Sequence, residues 1–131
     1  MTGPDRGVTV PHVEPRELHP AVAAAFNARD VEALVALYEP DAWLFGLAGP
    51  VQGTDAVRAA WTELVAMGGT MTLDTLHALE LGDLALLSSR WTLTAGETVV
   101  SAVSAEVARR QGDGTWRYVF DNPDAAGALA E

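Results

Sequence analysis

Two carboxylates, Asp121 and Glu106, are the side chains of this sequence best spaced to move a proton. Asp113-Gly114 has the composition of a two-residue hairpin turn, and counting back from such a turn sets Glu106 directly opposite Asp121. Two facing carboxyl groups in apolar surroundings share a proton, because burial disfavours either charge and each charge disfavours the other. One of them then titrates nearer neutrality, as a general acid or base must. Strand alternation puts Asp121 on one face with Arg117 and Val119, and puts Trp116, Tyr118 and Phe120 on the other. The plainer alternatives are an aspartate capping the turn into Asn122-Pro123 and a solvated glutamate near Arg109, Arg110 or Arg117.

His77 and Arg90 complete the catalytic candidates, both in the middle of extended segments. A histidine titrates close to neutral pH and could act as acid or base. An arginine could clamp a substrate carboxylate or neutralise Asp121 or Glu106. The alternatives are a hydrogen-bonded strand histidine and a surface arginine. The other histidines, His12 and His19, precede the strands, and the three together lack metal-ligand spacing. Cysteine is absent, which removes thiolate nucleophiles and thiolate metal sites. Phosphate-binding glycine loops, serine elbows and dinucleotide fingerprints are missing as well. The chemistry expected is therefore metal-free and without an organic cofactor.

A chain of 131 residues with 49% hydrophobic residues has the size of one domain and enough apolar mass for a core and a cavity wall. Its formal net charge of −10, with no basic stripe, repels phosphate backbones and anionic lipid, so neither nucleic acid nor membrane is an expected partner. No run nears the ~20 apolar residues of a membrane span. The polar, proline-rich start lacks the apolar core of a signal peptide, and the expected location is cytoplasmic.

The elements that must position these residues follow from periodicity. Residues 1–16 read as a flexible arm, residues 17–123 as a single domain and residues 124–131 as a loose tail. Helical spacing starts near Pro20, breaks at Asn27 to Arg29, and resumes after Asp30 as N-cap, with Val31, Leu34, Val35 and Tyr38 on one face up to Pro40. Residues 42–45 form a short aromatic strand, and residues 51–52 a second. A third helix starts at Thr54, carries Val57, Trp61, Leu64 and Val65 inward, and stops at Gly68-Gly69. The period then changes to two. Turn signals at Gly82-Asp83, Ala95-Gly96 and Asp113-Gly114 divide four strands near 71–81, 84–94, 98–110 and 115–122. Helices first and a meander after them is an α+β order. The rings of Trp43, Phe45, Trp61 and Tyr38, with Val119, are expected to line an apolar pocket.

Three stretches in this order resemble the nuclear transport factor 2-like superfamily, which includes SnoaL-like polyketide cyclases, ketosteroid isomerases, scytalone dehydratases and limonene epoxide hydrolases. They are Asn-Ala-Arg-Asp-Val-Glu-Ala-Leu-Val-Ala-Leu-Tyr-Glu-Pro-Asp-Ala at 27–42, Val-Gln-Gly-Thr-Asp-Ala-Val-Arg-Ala-Ala-Trp at 51–61, and Asp-Gly-Thr-Trp-Arg-Tyr-Val-Phe-Asp-Asn-Pro at 113–123. The resemblance implies a cone in which N-terminal helices close a curved antiparallel sheet of four to six strands around an apolar pocket. It also implies a homodimer through the outer sheet face, to which Trp116, Tyr118 and Phe120 are assigned. In the cyclases and epoxide hydrolases a working aspartate lies at the offset of Asp121. Against ketosteroid isomerases, Glu106 falls at the protonated, oxyanion-binding aspartate, whereas the general base falls at Gly46 and the phenol donor at Val22, neither of which can do that work. The expected function is acid–base isomerisation, cyclisation, dehydration or hydrolysis of a small apolar molecule. The alternative is a ligand-binding or dimerisation module that turns nothing over. A fold of this kind hosts many activities, so the site must decide.

Overall fold

The computed structural model describes residues 13–127, in which three helices pack on a seven-stranded sheet, two of them before its first strand and the third between its second and third strands. A 3-10 turn, Pro15–Glu17, leads into helix α1, Leu18–Asn27. Residues 1–12 of the expected arm and 128–131 of the expected tail lie outside the described residues. The remaining tail residues are built into the domain: the Ala125 amide donates to the Val103 carbonyl, and Asp124 and Gly127 line the cavity described below.

Asp30 caps helix α2, Val31–Val35, by accepting from the Ala33 amide at 3.0 Å. This helix is shorter than the periodicity predicts. Tyr38 is not its last core residue but the first residue of strand β1, Tyr38–Gly46. The cause is tertiary: the Leu37 carbonyl accepts from the Tyr118 amide at 2.7 Å, drawing the chain into the sheet before Pro40. Strand β2, Gly49–Gln52, returns beside β1, and helix α3, Thr54–Ala66, follows with Val57 and Trp61 buried. Gly69, at φ +98°, ends this segment where a side chain would press on the Thr94 carbonyl at 3.0 Å.

Strands β3 (Thr70–Leu81), β4 (Leu84–Ala95), β5 (Thr98–Val103), β6 (Ala105–Arg110) and β7 (Trp116–Asn122) fall where the period-two segments predict. The third predicted strand is divided at Ser104, but β5 and β6 keep one register against β4. The sheet runs β2-β1-β7-β6-β4-β3, with β5 on β4. It is mixed, not wholly antiparallel, because β1 lies parallel to β7.

Two bulges decide which side chains face inward. In β7 the pairing with β6 shifts at Val119: Val107 faces Phe120, while Ala108 faces Tyr118. The extra residue reverses the alternation. Trp116 and Tyr118 therefore face inward with Asp121 and are buried, contrary to the outer-face position expected for them. Of that trio, Phe120 alone remains on the outer face, 51% exposed. In β3 a second shift between Thr75 and His77 leaves Leu76 unpaired and turns His77 outward.

The core lies between the helices and the inner sheet face, around Phe26, Leu34, Val57, Leu87 and Tyr118. Phe26 packs edge-on against Trp61, with ring centroids 6.3 Å apart. On the outer face, register places Trp43, Phe120, Val107, Leu86 and Leu79 in a row across five strands. Phe26→Ala is expected to cost about 3–5 kcal/mol by leaving a cavity between α1 and α3. Urea unfolding of the variant measures it, and a loss below about 1 kcal/mol would refute this account of the core.

Candidate functional site

A cavity of about 550 Å³ opens between α1, α3 and the inner face of the sheet. Its walls are apolar, with Leu44, Leu64, Met71, Leu73, Trp91 and Leu93 among them. Its polar groups include Asp121, Glu106, Ser89 and Ser104, all four buried. The two serines bond each other across β4 and the β5–β6 break, Oγ to Oγ at 2.8 Å. No lysine, arginine or histidine is among the lining residues described.

Glu106 and Asp121 are register partners on β6 and β7, as the hairpin count predicts, although by a different route. The turn is one residue longer, since Arg110 pairs with Trp116 and the Gln111 amide bonds the Thr115 carbonyl. The bulge at Val119 returns the missing residue to the count, so the two departures cancel at this pair.

Each carboxylate has its own partner. The Tyr38 hydroxyl donates to Asp121 Oδ2 at 2.5 Å and accepts from Trp61 Nε1 at 3.1 Å. His19 Nε2 lies 2.9 Å from Glu106 Oε1, and His19 Nδ1 lies 2.7 Å from Thr75 Oγ1. Burial raises Asp121 from 3.8 to about 8, and the negative charge of Glu106 adds to the rise, while the Tyr38 hydrogen bond opposes it. Burial also pushes the Tyr38 and Tyr118 phenols up, with Asp121 charge adding to both. Asp121 can thus carry a proton at neutral pH and release it to a ligand within the cavity.

Of the residues singled out from the sequence, Asp121, Glu106, Phe45 and Trp61 line this cavity. Tyr38 is buried behind Asp121, holding it through the phenol, and is not on the wall itself. Trp43 faces the outer side, and Val119, taken up by the bulge, does not line the cavity. His77 and Arg90 are exposed on the outer face, opposite Ser88 and Asp74, so neither reaches the carboxylates. Gly46 and Val22 both line the cavity but present no functional group there. His19 was missed. It precedes every strand, and only the packing of α1 across β3 shows that it reaches Glu106. Among the described residues no cluster of three His, Cys, Asp or Glu is placed to hold a metal ion, and no helix is long and apolar enough to cross a membrane.

Asp121 gives the fold a measurable pH dependence. The unfolded chain releases this proton near pH 4, whereas the native state keeps it to about pH 8, so stability falls as pH rises through that window. Asp121→Asn, which carries no charge, should flatten this slope and unfold at a higher temperature than wild type at pH 9. Parallel melting curves from pH 5 to 9 would refute the assignment.

The sequence profile of the SnoaL-like domain family matches residues 21–124. No curated protein matches the chain. Among solved structures, a Thiobacillus denitrificans protein provisionally named a calcium/calmodulin-dependent protein kinase type II association domain is 26% identical, covers 85% of this chain and 94% of its own, and has a TM-score of 0.71. A ketosteroid isomerase-like protein of Erwinia carotovora atroseptica is 23% identical over 82% of this chain and 89% of its own, TM-score 0.64. A Streptomyces avermitilis protein provisionally named a dehydratase of the nuclear transport factor 2-like family is 20% identical over 82% of this chain and 90% of its own, TM-score 0.66. With the profile spanning α1 to the end of the last strand, this chain belongs to the SnoaL-like domain family.

Proposed function

We propose that the chain is a cofactor-free acid–base enzyme that isomerises, cyclises, dehydrates or hydrates a small apolar molecule, with Asp121 moving the proton. The observation that carries this reading is a buried carboxyl directly facing a second buried carboxyl in a cavity with mostly apolar walls, whose burial pushes Asp121 up to about 8. At neutral pH Asp121 donates to a carbonyl, epoxide or departing hydroxyl oxygen. Glu106, the charged neighbour, accepts a proton or steadies positive charge that develops on the substrate. The cavity size fits a molecule of metabolite dimensions. With no cationic side chain among the described lining residues, a ligand carboxylate or phosphate would meet the carboxyls of Asp121, Glu106 and Asp124 and no positive charge on the wall to offset them. An uncharged substrate suits this lining better. His77 and Arg90 take no part in this scheme, since both face outward.

A second reading is a binding module of the same fold. It is favoured by Gly46 and Val22, which leave the cavity without the base and phenol of a ketosteroid isomerase at those two positions. In that case a ligand would raise the melting temperature and emerge unchanged.

The outer sheet face supports a partner proposal as well. The row from Trp43 to Leu79 is apolar across five strands and includes Phe120 and Leu86, each 51% exposed. Two copies pairing through this face would cover it.

Asp121→Asn should lower turnover of any accepted substrate by ~10²-fold or more while ligand-induced thermal stabilisation persists. Full turnover by this variant would remove Asp121 from the chemistry. For the pairing, wild type should scatter light as a dimer at micromolar concentration, and the double variant Leu86→Glu, Phe120→Glu as a folded monomer. A monomeric wild type would dispose of the interface.

A further inference from the structure

His19 lies on the first turn of α1, yet it is completely buried and its ring touches the sheet on two strands. A buried imidazole needs partners for both nitrogens, and this one has them in Thr75 on β3 and Glu106 on β6. An ionised carboxylate can only accept, so Nε2 must carry the hydrogen between His19 and Glu106. The hydroxyl of Thr75 can donate to a bare Nδ1 or accept from a protonated one. Thus His19 can be neutral or charged without losing either hydrogen bond.

The two carboxyls of the site are therefore not equivalent. Asp121 is backed by a phenol, which can be shared with a protonated or an ionised acid. Glu106 is backed by an imidazole nitrogen 2.9 Å away, which can donate to a carboxylate oxygen. Groups of different partner chemistry on facing strands divide acid from base.

We propose that His19 is a positioning residue of this pair: held by Thr75, it keeps Glu106 oriented and charged, and so confines the shared proton to Asp121. The inference rests on reading Asp121 and Glu106 as the working pair, but it concerns where the proton resides, which can be observed without a substrate. The titratable groups facing Asp121 are Tyr38 on β1, Tyr118 on β7 itself and Glu106 on β6. Those around His19 are Glu106 across the interior and, on the preceding 3-10 turn, the exposed Arg16 and Glu17. The ring itself bonds Glu106 and the Thr75 hydroxyl.

The test is the carboxyl carbon signal of Asp121, followed by NMR against pH in protein labelled at aspartate. In wild type its midpoint should lie at about 8. Glu106→Gln removes the neighbouring charge and should lower the midpoint. His19→Leu should lower it by about one pH unit or more, because Glu106 then competes for the proton. His19→Gln, which keeps a donor toward Glu106, should restore most of the wild-type value. Thr75→Val, a near-isosteric change at a half-buried strand position, should lower the midpoint by a smaller amount and decides the matter if His19→Leu does not fold. A midpoint unchanged or raised in Thr75→Val and in every folded His19→Leu sample overturns the role of His19. Failure of the catalytic reading would show separately, as full turnover by Asp121→Asn.

Discussion

The interior of this protein is organised around one expensive act, the removal of the Asp121 carboxyl from water. Without a partner, a buried carboxylate destabilises a small domain by several kcal/mol. Two responses are visible. The group keeps its proton to about pH 8, and the Tyr38 phenol bonds it at 2.5 Å. Tyr38 is in turn fixed by the Trp61 indole, so one polar chain joins β7, β1 and α3. The apolar walls that make the burial costly are the same walls that would receive an apolar ligand. The raised affinity of Asp121 for its proton and the cost to stability thus come from one cause.

Much of the fold was legible because the sequence changes period where the architecture changes. The cap at Asp30, the inward stripe of Val57 and Trp61, and the turn at Gly82-Asp83 each act locally, and local signals survive in one dimension. The end of α2 was not legible. Tyr38 has helical spacing, but the Tyr118 amide, far along the chain, captures the Leu37 carbonyl and makes it a strand residue. The parallel pairing of β1 with β7 is equally invisible to periodicity, which reports a strand but not its neighbour.

The site was legible in part for the same reason. The facing of Glu106 and Asp121 follows from hairpin counting, though a longer turn and the Val119 bulge had to compensate for one another. Where no compensation occurs, alternation misleads. Bulges at Leu76 and Val119 send His77 outward and bring Tyr118 inward, and nothing in the residue types announces either. Of the residues singled out, the two carboxylates line the cavity, and His77 and Arg90 lie on the outer face. His19 reaches Glu106 through the packing of α1 on the sheet, which periodicity does not report.

The parallel union of β1 and β7 has a consequence for how the molecule comes into being. Tyr38 and Asp121 are 83 residues apart, and among the described strands the one that carries Asp121 leaves the ribosome after the rest. Until it arrives, one edge of β1 has no partner and the phenol has no acid to hold. Closure of so long a loop slows folding, and it also makes completion of the site coincide with completion of the sheet. A nascent chain truncated before residue 121 would contain most of the hollow's walls and Glu106 but not the acid that faces it, so the carboxyl pair is assembled only with the last strand of the sheet.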